Sequence, residues 1–327
     1  MTSLHINDLS VGYATKTIAK DINLTLGGGK LVCLLGQNGV GKSTLLRTLS
    51  NLQAPLSGNI HLGEKDIESL DRRELATKLG IITTEKIGMS NMTVRELVAL
   101  GRYPYTNWIG QESEEDTQKI EEAISRCRIN YIEQSKLAAI SDGQFQKAMV
   151  ARVLAQDTDI ILMDEPTAHL DVVNRVEMFQ LLQAIKNETG KSILISTHEL
   201  DLSMQFADEL WLMNFNAPIL TGTPEDLGLS GEIEKVFFHE EFILDSRTGQ
   251  VKLKLQPEKE YHVVGEEKPA QWVQKALERK GYGLSIDGEV IVVETKAQRL
   301  HWKVGAMEGH TIAHLLEVLE QSNYRDK

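Results

Sequence analysis

Two short stretches of this chain place reactive residue types at spacings that serve phosphate chemistry. The first, Gly36-Gln37-Asn38-Gly39-Val40-Gly41-Lys42-Ser43, fits the pattern GxxxxGK[ST]. Glycines let the backbone curl so that successive N–H groups face phosphate oxygens, and a helix opening near Lys42 adds the positive end of its dipole. In this reading Gly36, Asn38, Gly39 and Gly41 shape the loop, and Lys42 brings a point charge to the β and γ phosphates. Ser43 offers its hydroxyl to Mg²⁺, and Thr44 carries the site into the helix. The second stretch, Ile160-Ile161-Leu162-Met163-Asp164-Glu165, is an apolar strand closed by two acids. Asp164 would hold Mg²⁺, directly or through water, and Glu165 would polarise an attacking water, which is typically worth ~10²–10⁴ in rate. An acid pair closing a strand fits a solvated strand end equally well. The phosphate loop on a neighbouring strand is what gives it a functional sense.

A third element narrows the class. Ile140-Ser141-Asp142-Gly143-Gln144 resembles the LSGGQ signature of the ATP-binding cassette (ABC) ATPases. Ala168-His169-Leu170-Asp171 resembles their D-loop, His198 matches their switch histidine, and Tyr13 matches the aromatic that stacks on adenine, a contact worth ~1–3 kcal/mol. The resemblance covers about residues 1–255 and rests on five motifs in the right order. It implies ATP and Mg²⁺ as cofactors and a head-to-tail homodimer, with each ATP lying between one copy's phosphate loop and the other's signature helix. Ser141 and the N–H groups near Gly143 and Gln144 would then meet the γ-phosphate across the interface, with Asp171 beside them. His198 would hydrogen-bond the same phosphate and help to position the water.

Two positions depart from the family pattern. Asp142 stands where the signature carries glycine. Thr83-Thr84-Glu85-Lys86 stands where a glutamine usually contacts Mg²⁺ and senses the membrane subunit, so Thr84 or Glu85 takes its place.

The elements that must hold these residues follow from the pattern of apolar residues. Runs at residues 31–35, 80–83, 159–163 and 192–197 are too short for helices and too continuously apolar for half-exposed strands. Helices are expected over 43–52, 71–79, 93–100, 112–128, 143–156 and 172–186, with capping-box patterns at Asp71/Glu74 and Thr93/Glu96. Alternating buried strands and helices imply a parallel sheet covered on both faces. The expected class is therefore α/β, a P-loop NTPase with a parallel sheet core. From the resemblance come an antiparallel β subdomain and a helical subdomain over about 85–145. Past about residue 255 the texture changes to strand, helix, strand, strand, helix with glycine-rich turns. Residues 256–327 thus form an accessory α+β domain, either regulatory or dimerising, or a plain stabilising appendage.

Composition sets the outer bounds. The 327 residues carry 35 basic and 47 acidic side chains, a net charge of −12, which disfavours general binding to nucleic-acid phosphates. Cys33 and Cys127 stand alone with no CxxC or Cys/His cluster, so neither a disulfide framework nor a zinc site is expected. The amino terminus does not read as a secretory signal, and no apolar run approaches the ~20 residues needed to span a bilayer. Residues 93–105, including Tyr103 and Tyr105, look like the segment found in importer ATPases for iron–siderophore complexes, haem and cobalamin. That resemblance implies a polytopic permease as partner, with Tyr103, Tyr105 and Trp108 beside its docking groove. A substrate-binding protein would act only indirectly, and the chain would sit peripherally on the cytoplasmic face of the inner membrane. A soluble ABC-type switch that dimerises on ATP, with a regulatory tail, is the alternative.

Overall fold

The computed structural model describes residues 2–14, 16–83, 91–106, 112–237, 242–245, 250–253, 257, 259–296 and 299–325. The chain divides into two compact units, Met1–Phe238 with Leu244–Val251 and His239–Ile243 with Lys252–Lys327.

The first unit opens on a long antiparallel hairpin, β1 (Leu4–Tyr13) and β2 (Lys16–Leu26). The sequence shows only fragments of it because its alternation is broken. A register shift between Ile6 and Leu9 inserts an extra residue, with Asp8 at φ 47°, so Ile6 and Leu9 are both buried. Strand β3 (Leu31–Leu35) is buried throughout and leads into α1 (Lys42–Leu49). Strands β4 (Ser57–Leu62) and β5 (Lys65–Asp66) complete a four-stranded antiparallel sheet in the order β2-β1-β4-β5. The next helix, α2 (Arg72–Ala76), is capped by Asp71 but stops early. It is shorter than the sequence suggests because Leu79 already pairs with Ile160 as part of β6 (Leu79–Ile82).

Three helices then pack together: α3 (Val94–Ala99), α4 (Glu114–Arg126) and α5 (Asp142–Ala155). Each begins at a complete capping box, at Thr93, Ser113 and Ser141 respectively. Their apolar faces, including Val94, Leu97, Ile120, Ile124, Ala148 and Met149, join the core under the sheet. Strand β7 (Ile160–Asp164), α6 (Val172–Thr189), β8 (Ser192–Ser196), α7 (Leu200–Phe206), β9 (Glu209–Leu212) and β10 (Leu220–Gly222) follow. The six-stranded sheet runs β10-β9-β3-β8-β7-β6, parallel except for β10. Helices α8 (Pro224–Leu229) and α9 (Glu232–Val236) close this unit.

Strands β11 (Phe242–Asp245) and β12 (Gln250–Leu253) pair with each other. The second unit contains β13 (Glu260–Gly265), α10 (Glu267–Arg279), β14 (Gly283–Leu284), β15 (Glu289–Lys296), β16 (Arg299–Val304), β17 (Met307–Gly309) and α11 (Ile312–Arg325). Its sheet has the order β14-β13-β15-β16-β17. Val273 and Leu277 of α10 and Leu315 and Leu319 of α11 share a separate core with Tyr261, Ile291, Val293 and Trp302. Among the described residues no helix is long and apolar enough to cross a membrane.

Candidate active site

Strand β3 ends at the phosphate loop, and the loop needs its glycines. Gly39 and Gly41 have φ of 78° and 112°, conformations that residues with a Cβ rarely adopt. At Gly41 a Cβ would also lie 2.2 Å from Ile18 Cγ2. Lys42 is buried, and its Nζ donates to the carbonyls of Gly36 (2.9 Å) and Gln37 (3.3 Å). Burial pushes this ammonium below its usual range, partly offset by the charges of Glu165 and Asp164.

The parallel pairing of β7 with β8 sets Asp164 directly beside Ser196. Ser43 Oγ donates to Asp164 Oδ1 at 3.0 Å, and Ser196 Oγ donates to the same oxygen at 2.6 Å. The Glu165 N–H in turn donates to Ser196 Oγ (3.0 Å) and Ser196 O (3.2 Å). One serine hydroxyl therefore fixes both acids, accepting from the backbone of one and donating to the side chain of the other. Glu165 itself sits at φ 48°, a left-handed geometry uncommon for a residue with a Cβ. Its Oε1 lies 2.9 Å from His198 Nε2. The structure thus brings Lys42, Ser43, Asp164, Glu165 and His198 into one hydrogen-bonded or charge-linked group. Ser196 is the member that sequence reading missed. Its only signal was its place at the end of the strand next to the acidic one.

A second group forms at the N-termini of α5 and α6. Ser141 Oγ accepts from the Gln144 N–H (3.3 Å), while Gln144 Oε1 accepts from the Ser141 N–H (2.9 Å). Gly143 is buried against Asn174, whose Oδ1 would lie 2.9 Å from an added Cβ. Asp171 caps α6, accepting from the N–H and the side-chain amide of that same Asn174 (2.8 and 2.9 Å). Asp142 is the exposed first residue of α5, where a carboxylate is favoured by the helix dipole.

Tyr13 is 56% exposed, with its hydroxyl 3.4 Å from Thr44 Oγ1. It edges a cavity of ≈ 640 Å³ that Arg47, Leu52, Gln53 and Thr83 also line. Tyr105 is engaged locally: its hydroxyl donates to Gln156 O (3.0 Å), and Arg102 lies over its ring. Tyr103 is left 77% exposed. Thr84, Glu85 and Trp108 lie outside the described residues.

Comparison with known proteins places this geometry in context. The family model of the ABC transporter matches residues 19–168, and that of the iron ABC transporter C-terminal domain matches residues 258–320. The achromobactin transport ATP-binding protein of Dickeya dadantii is 34% identical over 237 residues, covering 72% of this chain and 88% of that protein. The iron(3+)-hydroxamate import ATP-binding protein of Bacillus subtilis is 32% identical over 251 residues, covering 76% and 93% respectively. Among solved structures, cbiO1 from Clostridium perfringens, part of an ABC transporter complex, superposes with a TM-score of 0.62 at 27% identity, covering 71% of this chain and 92% of that one.

Proposed function

The chain belongs to the ATP-binding proteins of ABC transporters, and from that premise we propose that it is the ATP-hydrolysing subunit of an importer for an iron chelate. The observation that carries the substrate class is the match of residues 258–320 to the iron ABC transporter C-terminal domain. Relatives whose names specify achromobactin and iron(3+)-hydroxamate support it.

The site residues have distinct tasks. The loop N–H groups and Lys42 bind the triphosphate, and Lys42 leaves the Gly36 and Gln37 carbonyls to do so. Tyr13 stacks on the adenine. Ser43 and Asp164 already converge through a 3.0 Å hydrogen bond, a hydroxyl and a carboxylate suited to Mg²⁺, which takes one or two carboxylates plus phosphate oxygens. When bound, Mg²⁺ neutralises charge on the phosphates. Glu165 accepts the proton of the attacking water, and His198, whose Nε2 lies 2.9 Å from Glu165 Oε1, orients that water and the γ-phosphate. Ser141, Gly143, Gln144 and Asp171 belong to the half-site presented to a second, head-to-tail copy. In this reading residues 1–255 are the catalytic domain and 256–327 the accessory one. The chain docks peripherally on a polytopic permease at the cytoplasmic face of the inner membrane, with Tyr103 at the contact.

Purification of the full-length chain from its host membranes, followed by ATPase assay in vesicles, tests this. A polytopic permease should co-purify, and hydrolysis should rise when a substrate-binding protein loaded with an iron chelate is supplied. Recovery without any membrane subunit, with dimerisation on ATP alone, supports the soluble switch instead.

A further inference from the structure

Arg175 reaches from the first turn of α6 to the two segments that follow the catalytic acid and the histidine. Its Nε donates to Leu170 O at 2.9 Å, and its Nη1 donates to Glu199 Oε1 at 2.7 Å. Leu170 precedes Asp171, the cap of α6, and Glu199 directly follows His198. One planar guanidinium, with its donors in a fixed fork, therefore ties the turn after Glu165 to the turn that carries His198.

Local structure does not account for this link. Glu199 is the N-cap of α7, yet its side chain makes no cap hydrogen bond to that helix, and its carboxylate goes to Arg175 instead. The turn before Leu170 O closes through its own backbone, with Ala168 N–H donating to Glu165 O (3.0 Å) and Leu170 N–H to Thr167 O (3.2 Å). That turn contains two left-handed residues, Glu165 at φ 48° and His169 at φ 66°, and such backbone persists only where its surroundings hold it. Leu170 and Leu200, one at each end of the link, are 6% and 7% exposed members of the same core cluster. Consecutive residues of α6 thus serve two places: Asn174 lies against Gly143 at the start of α5, and Arg175 holds the turn of His198.

We propose that Arg175 is a positioning residue for ATP hydrolysis: by holding Glu199 against the Leu170 carbonyl it fixes His198 relative to Glu165, so that the histidine is in place for the γ-phosphate when the 168–171 segment is. A second copy that engages Asp171 would then be felt at His198 through the same guanidinium. The proposal rests on the reading of Glu165 and His198 as the residues that act on the attacking water. It assigns Arg175 to turnover and not to nucleotide binding.

Steady-state phosphate release and equilibrium binding of a fluorescent ATP analogue test it, with Mg²⁺ present and on the full-length chain together with any membrane subunit that co-purifies. The variants are Arg175→Met, Glu199→Met, the two combined, and His198→Ala. Arg175→Met should lower kcat about tenfold, the scale of one hydrogen bond to a charged group, while KM and analogue affinity stay within about twofold of native, the mark of a contact that acts on the chemical step. Glu199→Met should show the same split, and it reads the link from the other end if Arg175→Met does not accumulate. The combined variant should lose no more than about twofold beyond either single one, whereas independent sites multiply their losses. A native kcat in folded Arg175→Met overturns the proposal, as do multiplied losses in the combined variant or a loss of affinity as large as the loss of kcat. Failure of the underlying reading looks different: a native preparation without hydrolysis, or a His198→Ala chain that turns over at the native rate, removes His198 from the chemistry, and the proposal goes with it.

Discussion

Replacing Glu165 by glutamine separates chemistry from structure at this site. The amide keeps the shape of the carboxylate, and its oxygen still accepts from His198, but it takes up no proton from water. The cost to folding is small. The two side chains are 32% and 41% exposed, and a pair so open to solvent contributes about 0–1 kcal/mol. The left-handed backbone at φ 48° is no harder for glutamine than for glutamate. The cost to catalysis is much larger. Loss of a positioned base removes ~10²–10⁴ in rate, about 2.7–5.4 kcal/mol at 1.36 kcal/mol per decade. Phosphate release at saturating Mg-ATP should therefore fall at least a hundredfold in Glu165→Gln, while the melting temperature shifts by no more than about 2–4 °C. If hydrolysis releases the head-to-tail, ATP-sandwiched dimer proposed above, light scattering should show the variant accumulating at twice the monomer mass with ATP and not without it. Hydrolysis within tenfold of the native rate, with the variant folded and nucleotide-bound, refutes the assignment of Glu165 and moves the search for the base elsewhere.

Three further outcomes are expected. Burial raises the Asp157 carboxyl, but Lys119 and Lys191 outweigh it and hold it at about 2 rather than 3.8, so its stabilisation is complete above pH 4 and lost as pH falls towards 2; Asp157→Asn should flatten the acid-unfolding curve in that window, and an unchanged curve contradicts the pairing. Arg102→Met leaves the buried Asp116 carboxylate without the guanidinium 2.7 Å away, which costs about 3–5 kcal/mol; the urea midpoint reads this, and Arg102→Met with Asp116→Asn should recover most of it. Gly143→Ala sets a Cβ 2.9 Å from Asn174 Oδ1, displacing the amide that joins the cap of α6; a loss of about 0.5–2 kcal/mol should appear in thermal melts, and an unchanged melt shows that Asn174 gives way freely.

The sequence was most informative where local and global requirements coincide. Asp71 caps α2 by accepting from the Glu74 N–H, and Thr93/Glu96 is a complete capping box that opens α3; both were readable because a cap is decided within four residues. The buried strands β3, β7 and β8 were equally plain, since short runs of five, four and three consecutive apolar residues have few other uses. The hairpin β1–β2 was not, because the bulge at Asp8 shifts the buried face by one residue. That bulge is stabilised by Asn23, whose side chain accepts from Asp8 N–H at 2.9 Å and donates to Asp8 Oδ1 at 3.0 Å, and partners fifteen positions apart carry no pattern in a window. Ser196 was hidden for the same reason. Its role comes from the register of β7 against β8, a pairing across more than thirty residues that no motif records.

The signature residues show why a structural and a functional reading of one side chain need not compete. Ser141 Oγ accepts from the Gln144 N–H and so caps α5, which taken alone explains the serine completely. A hydroxyl nevertheless has one donor as well as two acceptor positions. Capping uses an acceptor, so the O–H proton stays available for the phosphate oxygen that the proposed head-to-tail dimer would bring to it. The same capping geometry gathers the N–H groups of the first helical turn at that end, and the Gly143–Asn174 approach ties the start of α5 to the cap of α6. Ser196 follows the same logic inside the subunit, its acceptor side holding the Glu165 N–H and its donor side the Asp164 carboxylate. In both places hydrogen bonds that fold the chain also leave the reactive groups set in position, so loss of either hydroxyl should be felt in stability and turnover together.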